Sequence, residues 1–171
     1  MSRGLGIDTI NLMLQRIQTI FLLLVALFMV LSFFFPLWTL KNEEGQLVYE
    51  LFNLKLNSFA TEDGSLQSIF MPFALVAALA TASIVVVIVE ITKFKNRLLQ
   101  MKLGALNAML MAATMGLSVY FATDLINSMT SNGGAYGAGL FMPGIAMICN
   151  IIANRFIRKD DRLVKSVDRI R

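Results

Sequence analysis

The sequence predicts an all-α membrane protein, an antiparallel bundle of four transmembrane helices with both termini on the cytoplasmic side. Three observations predict it. The 171-residue chain is 57% apolar and only 15% charged, against about 45–50% and about 25% in a typical soluble domain. Its charges fall into a few blocks separated by four long neutral stretches, which a soluble fold would have to hide with too little polar sequence to cover them. When those stretches are counted as spans, nearly all the basic residues fall on one side.

A helix needs roughly 20 apolar residues to cross about 30 Å of hydrocarbon. The first span covers about 17–37, with Ser32 its only polar residue after Thr19, and the second about 69–90, free of charge as far as Val89. The third covers about 103–123, interrupted by Asn107, and the fourth about 135–154, including Asn150. Outer loops at 38–68 and 124–134, an inner loop at 91–102 and a basic tail at 155–171 complete a single domain. Backbone amides find no water partner in lipid, so each span is expected to be one continuous helix. Pro36 closes the first, and Pro72 and Pro143 fall within the first turns of the second and fourth, where a missing donor costs least. The first stretch is too long for the apolar core of a cleaved signal peptide. It leads into Phe33-Phe34-Phe35-Pro36-Leu37-Trp38 with no small-residue cleavage site, so an uncleaved helix is expected.

In the first outer loop, Asn42-Glu43-Glu44-Gly45 reads as a turn between two apolar runs, the pattern of a short β-hairpin capping the helices. Trp38 and Tyr49 are expected at the membrane interface, one side of each ring wet. Past Ala153, Phe156, Leu163, Val167 and Ile170 form one stripe beside a basic face, and Asp161 and Lys165 are a favourable four-apart pair. This predicts an amphipathic C-terminal helix that lies on the anionic inner leaflet or docks a cytoplasmic partner.

Thirteen of the fifteen lysines and arginines lie in the N-terminal stretch, the inner loop and the tail; Lys41 and Lys55 alone lie opposite. Cytoplasmic loops carry the basic excess, which places both termini and the 91–102 loop inside. The net charge of +4 is therefore a topological signal, and no nucleic-acid partner is expected. The inner-face basic candidates are Arg16, Lys95, Arg97, Arg158, Lys159 and Arg162.

Three blocks carry a family likeness. They are Gln15-Arg16-Ile17-Gln18-Thr19; Lys95-Asn96-Arg97 with Leu99-Gln100 and Leu106-Asn107; and Ile157-Arg158-Lys159-Asp160-Asp161 with Leu163-Val164, Ser166 and Asp168-Arg169. Together they resemble an uncharacterised Bacteroidota-type family of four-helix inner-membrane proteins, catalogued as a domain of unknown function. The resemblance covers about 13–171 and implies a bacterial inner membrane and a four-span fold, with no activity attached. Members begin close to the first block, so residues 1–12 depart from the pattern and Met13 is an alternative initiator.

Gly104, Ala108, Ala112 and Gly116 recur every four residues in the third span, and Ala74, Ala78 and Ala82 do so in the second. Small residues let membrane helices approach closely, so spans two and three are expected to pack through these ridges; a homodimer seam or a groove for a partner helix is the alternative. The outer end of span four is rich in glycine, at Gly133, Gly134, Gly137, Gly139 and Gly144, and close packing is preferred there over a substrate cleft. Asn107, Asn150 and Asn154 are the intramembrane polar candidates. They read as a structural hydrogen bond between spans three and four or, more sharply, as a patch for a headgroup or ion. No acid is expected mid-membrane, since Glu90 and Asp124 stand at span ends, which counts against active transport.

For catalysis the sequence offers no nucleophile elbow, phosphate-binding glycine loop or metal-ligand cluster, and it contains no histidine. Cys149, the single cysteine, reads as a packing residue. No catalytic, cofactor-binding or metal residue is assigned, and an enzyme is the least favoured class. The leading expectation is a non-enzymatic accessory or assembly subunit of a membrane complex, with a protein partner or a second copy beside it. The rival is a carrier of a lipid or small molecule using the glycine-rich fourth span with Asn107, Asn150 and Asn154.

Overall fold

The computed structural model describes residues 3–59, 67–94, 96–129 and 133–168, with side chains described within 16–59, 67–94, 96–128 and 133–163. The chain forms, in order, helix α1 (Arg3–Leu31), strands β1 (Trp38–Lys41), β2 (Leu47–Leu51), β3 (Leu56–Ser58) and β4 (Gln67–Ile69), helices α2 (Ala74–Thr92) and α3 (Arg97–Met129), strand β5 (Ala135–Tyr136) and helix α4 (Ala138–Asp168). Each helix packs against two others, in the cycle α1–α2–α3–α4–α1. The link between α2 and α3 spans only residues 93–96, so these neighbours must run antiparallel. The strands all collect at the opposite end. One end of the molecule is therefore the sheet, and the other holds the 93–96 link and the C-terminal half of α4.

Three helical stretches are long and apolar enough to cross a membrane: Ala74–Thr92, Arg97–Ser128 and Ala138–Leu163. Arg16–Leu31 of α1 adds a shorter apolar stretch. Inward faces interlock, with Leu22, Val25 and Met29 of α1 against Ala80, Val87, Met111, Ala146 and Ala153. The outward faces are equally greasy. Leu23, Leu27, Val85, Ile88, Met109 and Ile148 are all exposed, on a scale that water-soluble monomers avoid.

The all-α expectation needs correcting. The strands form one five-stranded antiparallel sheet in the order β4-β3-β2-β1-β5. The predicted hairpin is its centre: Trp38 pairs with Leu51 and Leu40 with Tyr49, around a turn in which Gly45 takes φ 78°. The flanking strands are two or three residues long, too short to show an alternating pattern in the sequence. Trp38 is not interfacial either. It is fully buried, and its indole Nε1 donates to the Gly133 carbonyl at 3.1 Å. Protein, not water, satisfies its polar edge.

Helix boundaries shift for local reasons. The first helix ends at Leu31 rather than near 37, where the Ser32 hydroxyl takes the Met29 carbonyl at 2.7 Å. The second starts at Ala74 because 67–69 are spent pairing with β3. The third begins at Arg97, which turns most of the expected 91–102 loop into helix. The fourth runs on to Asp168 without a break at 154, so the tail continues the span as one helix.

Two devices tie sheet to helices. Asn53, in the β2–β3 turn, donates from Nδ2 to Ser32 Oγ at 2.8 Å, and its carbonyl accepts the Ala77 N–H at 3.1 Å. The glycine-rich segment forms the second. Gly137 donates its N–H to the Leu37 carbonyl at 2.9 Å, and a Cβ there would collide with the Pro36 carbonyl. Gly134 sits at φ +63° against the Trp38 ring, where a Cβ would have no room. Close packing is the role of these glycines.

Candidate functional site

Helix periodicity sets Asn150, Asn154 and Arg158 on one face of α4, with Arg155 beside them. Opposite stand Gly104 and Ala108 of α3. Between the helices lies a groove of about 340 Å³. Because Gly104 has no side chain, the Asn150 amide reaches its backbone and donates to the carbonyl at 2.8 Å. A Cβ at 104 would overlap the Asn154 amide. Asn154 in turn donates from Nδ2 to the Asn150 carbonyl at 3.1 Å, which leaves its Oδ1 buried without a partner. Arg155 and Arg158 are exposed at the mouth, and no acidic residue lines the groove.

The structure thus brings together five residues that the sequence singled out for three separate reasons: Gly104 and Ala108 for packing, Asn150 and Asn154 for polarity, Arg158 for charge. It separates the others. Asn107 faces α2, where its Oδ1 accepts the Ser83 hydroxyl at 2.5 Å; of the three asparagines it is Asn150 that bonds the fourth helix to the third. The expected ridge contact between α2 and α3 is also not the one formed. Ala78 and Ala112 are exposed, Ala74 and Ala82 are half-buried, and a Cβ on Gly116 would meet nothing within 4 Å. The buried face of α2 is Val76, Ala77, Ala80, Ser83, Val87 and Glu90. The Ser83–Asn107 bond joins the two helices, and the small residues that α2 buries are Ala77, Ala80 and Ser83, a different face from the one the four-residue spacing marked.

The basic candidates divide similarly. Arg97 is a clamp: Nη1 donates to the Asp160 carbonyl at 3.0 Å, and Nη2 lies 2.9 Å from Asp160 Oδ2, whose residue is 1% exposed. Arg16 lines a second, largely apolar cavity of about 620 Å³ between α1 and α2, with Gln18 and Ile91. Lys159 and Arg162 are exposed. Lys95 lies outside the described residues, as do Glu62, Asp63 and Asn132 of the outer loops and the side chains of Lys165, Val167 and Ile170.

Sequence reasoning missed a buried polar layer at this same end. Glu90 does stand at the end of α2, yet it is fully buried, and neither carboxyl oxygen has a hydrogen-bond partner among the described residues. Gln100 of α3 donates from Nε2 to the Glu90 carbonyl at 3.0 Å, and its own Oε1 is unpartnered. Gln18 of α1 is likewise buried with a free Oε1. The cause is the early start of α3: its first turns rise alongside the last turn of α2 and cover Glu90. The nearest available signal was the pair Leu99-Gln100, whose helical register depends on where α3 begins.

A family model described as "Domain of unknown function (DUF4293)" matches residues 14–170. The chain belongs to this family. The DUF4293 match takes in all three blocks that carried the resemblance and every residue of the α3–α4 groove. No curated protein matches the chain. As a DUF4293 domain it comes with no assigned activity, so its function must be argued from its surfaces.

Proposed function

We propose that this DUF4293 protein is a non-enzymatic accessory or assembly subunit that crosses a bacterial inner membrane four times, with both termini in the cytoplasm. One observation carries the reading: the four helices turn apolar side chains outward over most of their length, which only lipid or another protein can cover. Thirteen basic residues against two across the spans set the orientation. The sheet then faces the periplasm as a folded platform fastened through Asn53 and Trp38, while the extended α4 projects from the cytoplasmic face with Arg155, Arg158, Lys159 and Arg162 outward. Two ordered surfaces flanking the membrane, and no assembled catalytic constellation among the residues described, suit a protein that holds others in place. Purification of the native protein in mild detergent at endogenous level, followed by mass spectrometry, should recover a stoichiometric protein partner. A clean monomer would contradict the assembly role.

The α3–α4 groove favours part of the second reading, a lipid or small-molecule carrier. It supplies a binding pocket at Asn150 and Asn154. It does not supply a path, because the glycine-rich end of α4 is packed shut against Pro36.

A further inference from the structure

We propose that the α3–α4 groove is a binding site for one anionic phospholipid of the cytoplasmic leaflet, its phosphate held between Arg155 and Arg158. The inference rests on the membrane placement proposed above and adds a ligand class to one site. Three features of the groove point to it. Its polarity is graded along its length, from Ala108 and Gly104 through Asn150 and Asn154 to the two arginines, and this is the gradient of an amphiphile lying from acyl chain to headgroup. Its mouth carries two guanidinium groups and no acid, and neither arginine forms an ion pair with a described residue. Arg97, the nearby cation of α3, is already neutralised by Asp160. Planar guanidinium forks suit phosphate oxygens, and two side by side match a phosphodiester.

The groove also asks for more than charge. Asn154 Oδ1 is buried with its acceptor capacity unused, while the same amide's donor is engaged with α4 backbone. Phosphatidylglycerol supplies the phosphate for the arginines and, with its headgroup folded back from the phosphate toward the helices, a hydroxyl donor for this oxygen. The Gly104 position keeps this geometry open, since any side chain there would displace the Asn154 amide.

The test is native mass spectrometry of the full-length protein, delipidated in detergent and titrated with phosphatidylglycerol or phosphatidylcholine. The wild type should hold one phosphatidylglycerol in preference to phosphatidylcholine. Two basic contacts at the leaflet surface account for about a 30-fold difference in affinity, so Arg155→Gln with Arg158→Gln should weaken retention by that factor. Lys159→Gln with Arg162→Gln, which removes two exposed charges outside the groove, should leave it unchanged. Ala105→Leu, which fills the groove from an exposed position and keeps both arginines, should also release the lipid and covers the case in which the double arginine variant fails to fold. Equal losses in the two charge-neutralised proteins would overturn the proposal in favour of a diffuse basic face. Displacement by millimolar inorganic phosphate would overturn it in favour of a free anion. A protein that stayed in solution without detergent would instead remove the membrane placement itself, a failure the lipid titration does not share.

Discussion

Glu90 is the residue whose surroundings least suit its chemistry. A buried carboxyl with neither a countercharge nor a hydrogen-bond donor is unfavourable in its charged form, which has lost its water. Gln100 spends its Nε2 donor on the Glu90 backbone carbonyl and has an unused Oε1 acceptor. An amide at position 90 would bring a donor of the same shape, so Glu90→Gln should raise the melting temperature in detergent by about 2–4 °C, equivalent to about 1 kcal/mol. A fall would mean that Glu90 has a partner that stabilises it. Arg97 and Asp160 make the opposite case. Arg97→Met strands a buried carboxylate and should cost about 3 kcal/mol, while adding Asp160→Leu should restore most of it. Thermal melts of the two single variants and the double variant close the cycle, and additive losses would show that the pair does not act as a unit.

Among the elements, glycine positions that look alike in sequence behave differently in the fold. Gly137 lies where the start of α4 crosses the chain leaving α1, and a methyl group there meets the Pro36 carbonyl. Gly137→Ala should therefore loosen the sheet end, lower stability by about 2–3 kcal/mol and expose the β1–β2 turn to proteolysis. Gly116 lies on an open face of α3, and Gly116→Ala should be neutral or should stabilise by up to about 1 kcal/mol through helix propensity. If the two variants melted together, the crossing at Pro36 would not be the close contact described. The same contrast shows what was legible in the sequence. Apolar length located four helices, because roughly 20 greasy residues in a row have few other uses. It could not locate their ends, which depend on tertiary events: Ser32 taking the Met29 carbonyl, Gln67–Ile69 pairing with β3, α3 starting four residues after α2. The groove was half legible. Asn150, Asn154 and Arg158 stood out for polarity and charge, but their meeting with Gly104 follows from which face of α3 turns toward α4. The small-residue ridges gave no guide to that, and Glu90 vanished into the interior for the same reason.

At the scale of the whole molecule, the fold is a helical body closed at one end by a sheet and left basic at the other. The sheet end is rigidly joined, through Trp38 to Gly133 and Asn53 to Ser32, so it can present a fixed surface. The basic end is an extension of α3 and α4 beyond the apolar layer, held by Arg97 and Asp160. On the membrane placement proposed above, this asymmetry is the expected one, with folded but less basic sequence on the far side and lysine and arginine on the near side. The isolated protein should require detergent or lipid to stay monodisperse, and size-exclusion chromatography in detergent-free buffer should return aggregate.

The central claim is that lipid surrounds these helices with the sheet outside and the long helix ends inside. The most direct measurement replaces the buried Cys149 with serine and introduces one cysteine at a time, Glu43→Cys in the β1–β2 turn or Arg162→Cys on α4. Intact cells with a permeabilised outer envelope are then treated with a membrane-impermeant maleimide. Position 43 should label at once, and position 162 only after the inner membrane is broken. Labelling of position 162 in intact cells, or protection of position 43, would contradict that claim.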